Sequence, residues 1–490
     1  MSTDSADLNN ISNHKSVNNI VNIPETELKR ILRIQQKSFS THIYPSVIER
    51  IQNLDKLKNL LLENREMLTN KISSDFGGRS EYECFTEFAT TLAEIDYAKK
   101  NLKKWMKAER RKSGLMGYPG TAKVIFQPVG VAGIIAPWNY PIYISVGPLV
   151  AAMAAGNRVM IKLSEHTPSS SKALASLINE TFDENYIRAF TGDVSVSIEF
   201  STLPFNHLLY TGSGTAAKSI LHAAAENLTP VTLELGGKSP AIIHKSFPIH
   251  RAVDAIAIGK MFSAGQSCVA PDYVFCYEDQ VEEFIATYTS VVEKSFPTML
   301  HNKEYSSVIN SGHAERLRGY ISDAIEKGAQ AIEINPGSED FEGSNKMPHT
   351  LLFNVNDSMI IAEEEIFGPV LIIHTYKDLS EAVNYVNSRP HPLALYYFDY
   401  DKPRVEYILY NTIAGGMDIN DTMKHVVVSD LPFGGVGASG MGQYHGREGF
   451  LTFSNAKGIR TTGRLNYNKQ MLALSGNPKV IDVAKIFLRM

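Results

Sequence analysis

The spacing of apolar residues changes along the chain, and the changes mark out its parts. From 25 to about 110 the apolar positions recur at helical intervals: Ile51, Leu54, Leu57 and Leu61, then Phe88, Leu92, Ile95, Leu102 and Trp105. From 121 short apolar runs alternate with amphipathic stretches. AKVIFQ, VGVAGIIAP, VMIKL, IRAFTG, HLLYT and VTLEL read as strands. Helices are predicted near 145–156, from Thr167-Pro168, over VSVSIEFST and over TAAKSILHAAAE. After 250 the alternation resumes. A helix over 251–262, a loop at 263–271 and strand DYVFCY lead to helices marked by Val281, Phe284, Ile285, Tyr288 and Val292 and by Leu317, Tyr320, Ile321 and Ala324, the latter capped by Gly328. Strands AIEI and TLLFNV flank a Pro/Gly/Ser loop at 336–348. This order predicts two α/β units with parallel sheets, joined near Gly236-Gly237. The stretch 431–450 carries seven glycines and reads as a structured loop.

Composition narrows the class. The chain has 490 residues, 43% hydrophobic and 20% charged, which suits a folded protein of two to four domains. A net charge of −4 leaves no basic footprint for nucleic acid. The Lys103–Lys112 cluster reads as a solvated face. Three cysteines, Cys84, Cys268 and Cys276, make no disulfide framework and point to a reducing, cytoplasmic setting. The first residues lack a basic region followed by an apolar core, so no signal peptide is expected. Residues 129–157 hold no charge, but three prolines and four glycines within them favour strand, loop and buried helix over a membrane span.

Two local features carry chemistry. Gly212-Ser213-Gly214-Thr215-Ala216-Ala217 fits G-x-G-x-x-A between a strand and a helix, where backbone N–H groups can approach a pyrophosphate. That spacing nominates Glu234 as a ribose ligand; a plain tight turn explains the glycines equally well. Cys268 lies in the small-residue loop Ser263–Pro271, unlike Cys276 among apolar neighbours. Such a setting suits a nucleophile as well as an inert thiol, and a nucleophile needs a site that favours thiolate. Asn139 and Glu234 each end a buried strand, where α/β sheets place functional groups.

The motifs gain weight together. P-W-N-Y-P at 137–141, L-E-L-G-G-K-S-P at 233–240, G-Q-S-C at 265–268, E-E-I-F-G-P-V at 364–370 and P-F-G-G at 432–435 occur in one order. The chain resembles the aldehyde dehydrogenase superfamily over roughly 45–460. It is most similar to the class 3 branch and, within it, to coniferyl aldehyde dehydrogenases, through C-V-A-P-D-Y-V at 268–274 and S-G-M-G-Q-Y-H-G at 439–446.

The resemblance implies an α/β fold with a Rossmann-like cofactor domain, an α/β catalytic domain and a small β oligomerisation arm. It divides the chain into a flexible 1–24, a cofactor domain over 25–111 and 129–234, a catalytic domain over 235–425, and bridging segments 112–128 and 426–490. It makes Cys268 the nucleophile, Asn139 the oxyanion donor and Glu234 the base that activates water, which displaces the ribose reading of Glu234. Lys162 and Glu165 then take the adenosine ribose, Gly212 and Ser213 the pyrophosphate, and Trp138, Glu365 and Phe367 the nicotinamide end. Leu163 stands where the family usually has proline and is expected to loosen that turn. The implied activity is NAD-dependent oxidation of a hydrophobic or aromatic aldehyde, with NADP admitted, by a homodimer without membrane span or metal. The rivals are a CoA-acylating semialdehyde dehydrogenase and a non-catalytic binding protein on the same fold. Tyr140, Tyr143 and Met261 are candidate walls of a substrate tunnel.

Overall fold

The computed structural model describes residues 25–114, 120–464, 477 and 479. The flexible N-terminus, 1–24, anticipated from the sequence lies outside these residues. The amino-terminal helices form as the apolar spacing requires. The helix Glu81–Trp105 begins at Ser80, whose hydroxyl accepts the Glu83 N–H, and carries Lys103 and Lys104 in its last turn, where the helix dipole favours cations. It buries Cys84, Phe88, Ile95, Leu102 and Trp105 and packs on the helix Tyr143–Ala155. Every residue of that second helix is buried, and Gly156 ends it at φ 93°. The uncharged segment 129–157 is thus strand, loop and core helix. Among the described residues no helix is long and apolar enough to cross a membrane.

In chain order the strands are β1 Glu109–Arg111, β2 Gly120–Pro128, β3 Val131–Ile135, β4 Arg158–Lys162, β5 Ile187–Phe190, β6 His207–Gly212 and β7 Val231–Leu235. Then come β8 Pro240–Ile243, β9 Tyr273–Tyr277, β10 Gln330–Ile334, β11 His349–Phe353, β12 Val370–Tyr376, β13 Ala394–Phe398, β14 Gly416–Ile419, β15 Gly440–Met441 and β16 Ser454–Thr462. Within the described residues they build a six-stranded sheet, β15-β7-β6-β3-β4-β5, and a seven-stranded sheet, β10-β11-β12-β9-β8-β13-β14. Both are parallel except at one edge, β15 in the first and β10 in the second. A third, antiparallel sheet is β1-β2-β16.

The six-stranded sheet reverses its strand order at β3: β4 and β5 lie on one side, β6 and β7 on the other. Ligands bind outside the carboxyl ends of strands at such a switch point. Asn139 follows β3, Lys162 ends β4, Gly212 ends β6 and Glu234 lies in β7. Two local expectations need correction. The glycine-rich stretch 431–450 is more than a loop: it supplies β15 and the helix Gly446–Thr452. Gly440 pairs opposite Glu234, and its φ of 156° with no room for a Cβ explains the glycine. The helix Pro168–Thr181 starts with Pro168 in its first turn, but Thr167 does not cap it. Asp75 does, accepting the Ser169 and Ser170 N–H groups at 3.0 and 2.8 Å.

Candidate active site

The helix Ile249–Met261 ends in a tight turn in which Ser263, Ala264 and Gly265 have φ of 52°, 51° and 72°. Two non-glycine residues in the left-handed region store strain that surrounding bonds must hold. Gln266 does this: its Nε2 donates to Ser263 O and Ser307 O, both at 2.9 Å, and its Oε1 accepts the Ile309 N–H. The chain then delivers Cys268, half-buried, to a cavity of about 260 Å³. Cys84 and Cys276 are buried in the core.

The thiol's setting departs from the expected thiolate-favouring site. Burial pushes Cys268 up to about 12, and the carboxylates of Glu365 and Glu234 push the same way, against the N–H groups of Cys268 and Val269.

Glu234 lines the same cavity. It is 2% exposed, and neither carboxylate oxygen has a hydrogen-bond partner. Burial therefore raises its pKa well above the carboxylate range. A buried carboxyl group with free oxygens beside a thiol is the arrangement expected of a base waiting for a substrate. Asn139 is also buried, its Nδ2 donating to Gln266 O at 3.3 Å. The carboxamide is thereby tied to the backbone two residues before Cys268.

The cavity is mainly apolar and aromatic. Tyr140 and Tyr143 line it as expected, with Tyr444, Thr90 and Phe433. Met261 does not; its neighbour Phe262 takes that place, edge-on to Tyr82 at 6.5 Å. The segment 421–427 forms another wall that the apolar pattern gave no sign of. It is shaped by Asn420 and Met423 at φ 63° and 60° and held by Asp418, whose carboxylate accepts the Lys424 and His425 N–H groups and His425 Nδ1.

The remaining predicted residues lie at the strand ends and in the loops of the two sheets. Glu365 is half-buried and accepts the Gly237 N–H; desolvation of its carboxyl pushes it up to about 7. A Cβ at Gly236 would overlap its carboxylate, so the glycine makes room for it. Phe367, at φ 50°, packs its ring edge-on to Trp138 at 5.3 Å. Lys162 is buried and donates to Leu163 O at 2.7 Å and to Glu165 at 3.1 Å. Leu163 does not loosen this turn: it is 1% exposed, and its N–H is bonded to Phe190 O. Ser213 caps the helix Gly214–Ala225, and a Cβ at Gly214 would meet open space. An open helix N-terminus beside a buried lysine and a ring pair fits a phosphate-linked, ring-bearing cofactor.

The family model for the aldehyde dehydrogenase family matches residues 2–459. The coniferyl aldehyde dehydrogenase of Pseudomonas sp. is 46% identical over 414 residues, covering 84% of this chain and 85% of that protein. The substrate-bound structure of Staphylococcus aureus AldH is 34% identical and superposes with a TM-score of 0.85, covering 92% of this chain and 99% of that one. The betaine aldehyde dehydrogenase of the same organism, in complex with NAD+, is 26% identical with a TM-score of 0.81, covering 90% and 88%.

Proposed function

The chain belongs to the aldehyde dehydrogenase family and oxidises aldehydes with a nicotinamide cofactor, and we propose that its substrate is a hydrophobic or aromatic aldehyde of the coniferyl type, converted to the acid through a Cys268 thioester. The observation that carries this reading is the shared cavity: the Cys268 thiol and the unpartnered Glu234 carboxylate face one apolar, tyrosine-lined space. The name of the Pseudomonas relative supports the aromatic substrate.

In this reading Cys268 Sγ attacks the aldehyde carbon. The Asn139 amide and the Cys268 N–H hold the oxyanion; one such donor is worth about 2.7–4 kcal/mol in other enzymes. The cofactor, held through Lys162, Glu165, Gly212, Ser213, Trp138, Glu365 and Phe367, supplies the acceptor for the hydride lost from the substrate. Glu234 takes a proton from the water that hydrolyses the thioester, and its raised pKa brings it nearer the working pH. Hydrolysis rather than transfer to CoA follows from a free carboxylate at the thioester. NAD is the preferred cofactor because Glu165 repels a 2′-phosphate. Three free cysteines suit a cytoplasmic home.

Cys268→Ser is expected to abolish aldehyde-dependent NADH formation while cofactor binding persists. A variant keeping a tenth of wild-type turnover would remove Cys268 from the mechanism. NADH formation that requires CoA would replace hydrolysis by acyl transfer.

A further inference from the structure

The turn between the helices Arg65–Asp75 and Glu81–Trp105 carries an arginine that the activity described so far does not use. Gly77 and Gly78, at φ 58° and 122°, turn the chain so that Arg79 points inward, and its side chain is fully buried. Its guanidinium lies between the rings of Phe76 and Tyr140, at 4.6 and 4.9 Å from their centroids. Nη1 donates to Asn139 O at 3.0 Å, and Nε donates to Glu83 at 3.3 Å. Glu87 stands 3.9 Å from Nη1 and accepts the Ile142 and Tyr143 N–H groups at 2.6 and 3.0 Å.

The loop after β3 is therefore gripped at both ends, by Arg79 on the carbonyl of 139 and by Glu87 on the amides of 142 and 143. Between them Pro141 has no N–H to give. The same helix pair reaches the nucleophile loop. Ser307 donates its N–H to Phe76 O at 3.1 Å, and its own carbonyl accepts from Gln266, whose backbone carbonyl holds the Asn139 amide. The circuit Phe76–Ser307–Gln266–Asn139–Arg79 ties Asn139 and the backbone two residues before Cys268 to one anchor.

Stability alone does not account for this arginine. A buried ion pair is often no better for folding than apolar residues of the same shape. Here Arg79 Nη2 and Glu87 Oε2 are left without hydrogen-bond partners, a cost that packing would not select.

We propose that Arg79, supported by Glu87, is a positioning residue for aldehyde oxidation: it fixes the Asn139 peptide so that the carboxamide meets the developing oxyanion. The proposal rests on the role assigned to Asn139 above. Misplacement of a reacting group by about 1 Å can cost 10²-fold in rate.

The test is a double-mutant cycle read on the rate of the first NADH turnover. Arg79→Met is expected to slow that turnover about 10–30-fold, with cofactor affinity within about twofold of wild type. Arg79→Lys, which keeps the charge and one donor, recovers part of the loss. In an Asn139→Ala background Arg79→Met costs less than about twofold more, because the group it positions is gone. Should Arg79→Met fail to fold, the same cycle with Arg79→Lys serves, and the lysine loss must likewise vanish in the Asn139→Ala background. Losses that multiply, or an Arg79 variant as fast as wild type, overturn the positioning role and leave Asn139 its own. An Asn139→Ala variant of unchanged turnover overturns both.

Discussion

Glu234 combines two properties that oppose each other in a stable protein: a carboxyl group 2% exposed, and no hydrogen bond to either oxygen. Its folded pKa lies well above the unfolded value, so the fold is favoured while the group stays protonated. The contribution is fully present below the unfolded carboxylate pKa and fades as pH rises through the folded one. Glu234→Gln keeps the shape and removes the titration. The variant is therefore expected to melt one to a few degrees above wild type at pH 8, with a gap that closes toward pH 4. A gap constant across pH, measured at one scan rate, refutes the linkage. In turnover the same variant is expected to give one burst of NADH and then a trapped thioester, seen as added mass on Cys268. The thiol itself, pushed up to about 12, predicts slow alkylation of Cys268 by iodoacetamide at pH 7 in the absence of cofactor, rising about tenfold per pH unit to pH 10. A rate that levels off above about pH 9 would show an ordinary thiol. At this scale the sequence was half legible. The G-x-G-x-x-A spacing pointed Glu234 at a ribose, whereas the structure places it on the Cys268 cavity. Arg79, Glu83 and Glu87 went unnoticed, because acids spaced i, i+4 along a helix look like a solvated face until Cys84 and Phe88 beside them prove buried.

Elements that end in a predictable way were easiest to read. The strand over VMIKL is a short apolar run, and it closes as β4 with Lys162 at its tip. That tip decides the next prediction. Glu165 is exposed and bonded to Lys162, on a turn whose neighbour Leu163 is pinned by hydrogen bonds on both its N–H and its carbonyl. A pinned turn holds the carboxylate in place, which strengthens the case for NAD over NADP. The expected preference is about tenfold, or roughly 1.4 kcal/mol. Glu165→Gln is expected to narrow it by improving kcat/KM for NADP more than it harms NAD. A ratio untouched by the substitution would move Glu165 away from the ribose. Elements shaped by distant partners were not legible. The helix Pro168–Thr181 takes its cap from Asp75, nearly a hundred residues earlier, so Thr167 only imitates a local signal. The cavity wall at 421–427 depends on left-handed Asn420 and Met423, conformations that methionine's side chain does nothing to announce.

The whole molecule works because two parallel sheets bring their strand ends together. Cys268 comes from the loop before β9 of one sheet, and Glu234 and Asn139 come from β7 and the end of β3 of the other. Alternating runs of apolar residues were enough to foresee both sheets; which strands lie side by side came only from the structure. The third sheet raises a different question. Among the described residues β16 is nine residues long and is the end strand of that sheet, next to β2. A long open edge is a template for another strand, and proteins rarely leave one uncovered. Among the described residues β14 is likewise an end strand, of the seven-stranded sheet. Pairing β16 with an edge strand of a second copy would satisfy such an edge, and on that reading the chain is expected to sediment at about twice its 54.3 kDa. Proline substitutions can locate the contact. In an antiparallel pair successive residues direct their N–H groups alternately toward and away from the partner. Of Lys457→Pro and Gly458→Pro, one therefore removes a bond to β2 and the other an outward donor. On that reading the outward variant is expected to run as a folded monomer at concentrations where wild type sediments at twice its mass. A dimer unaffected by either proline would place the contact elsewhere on the surface.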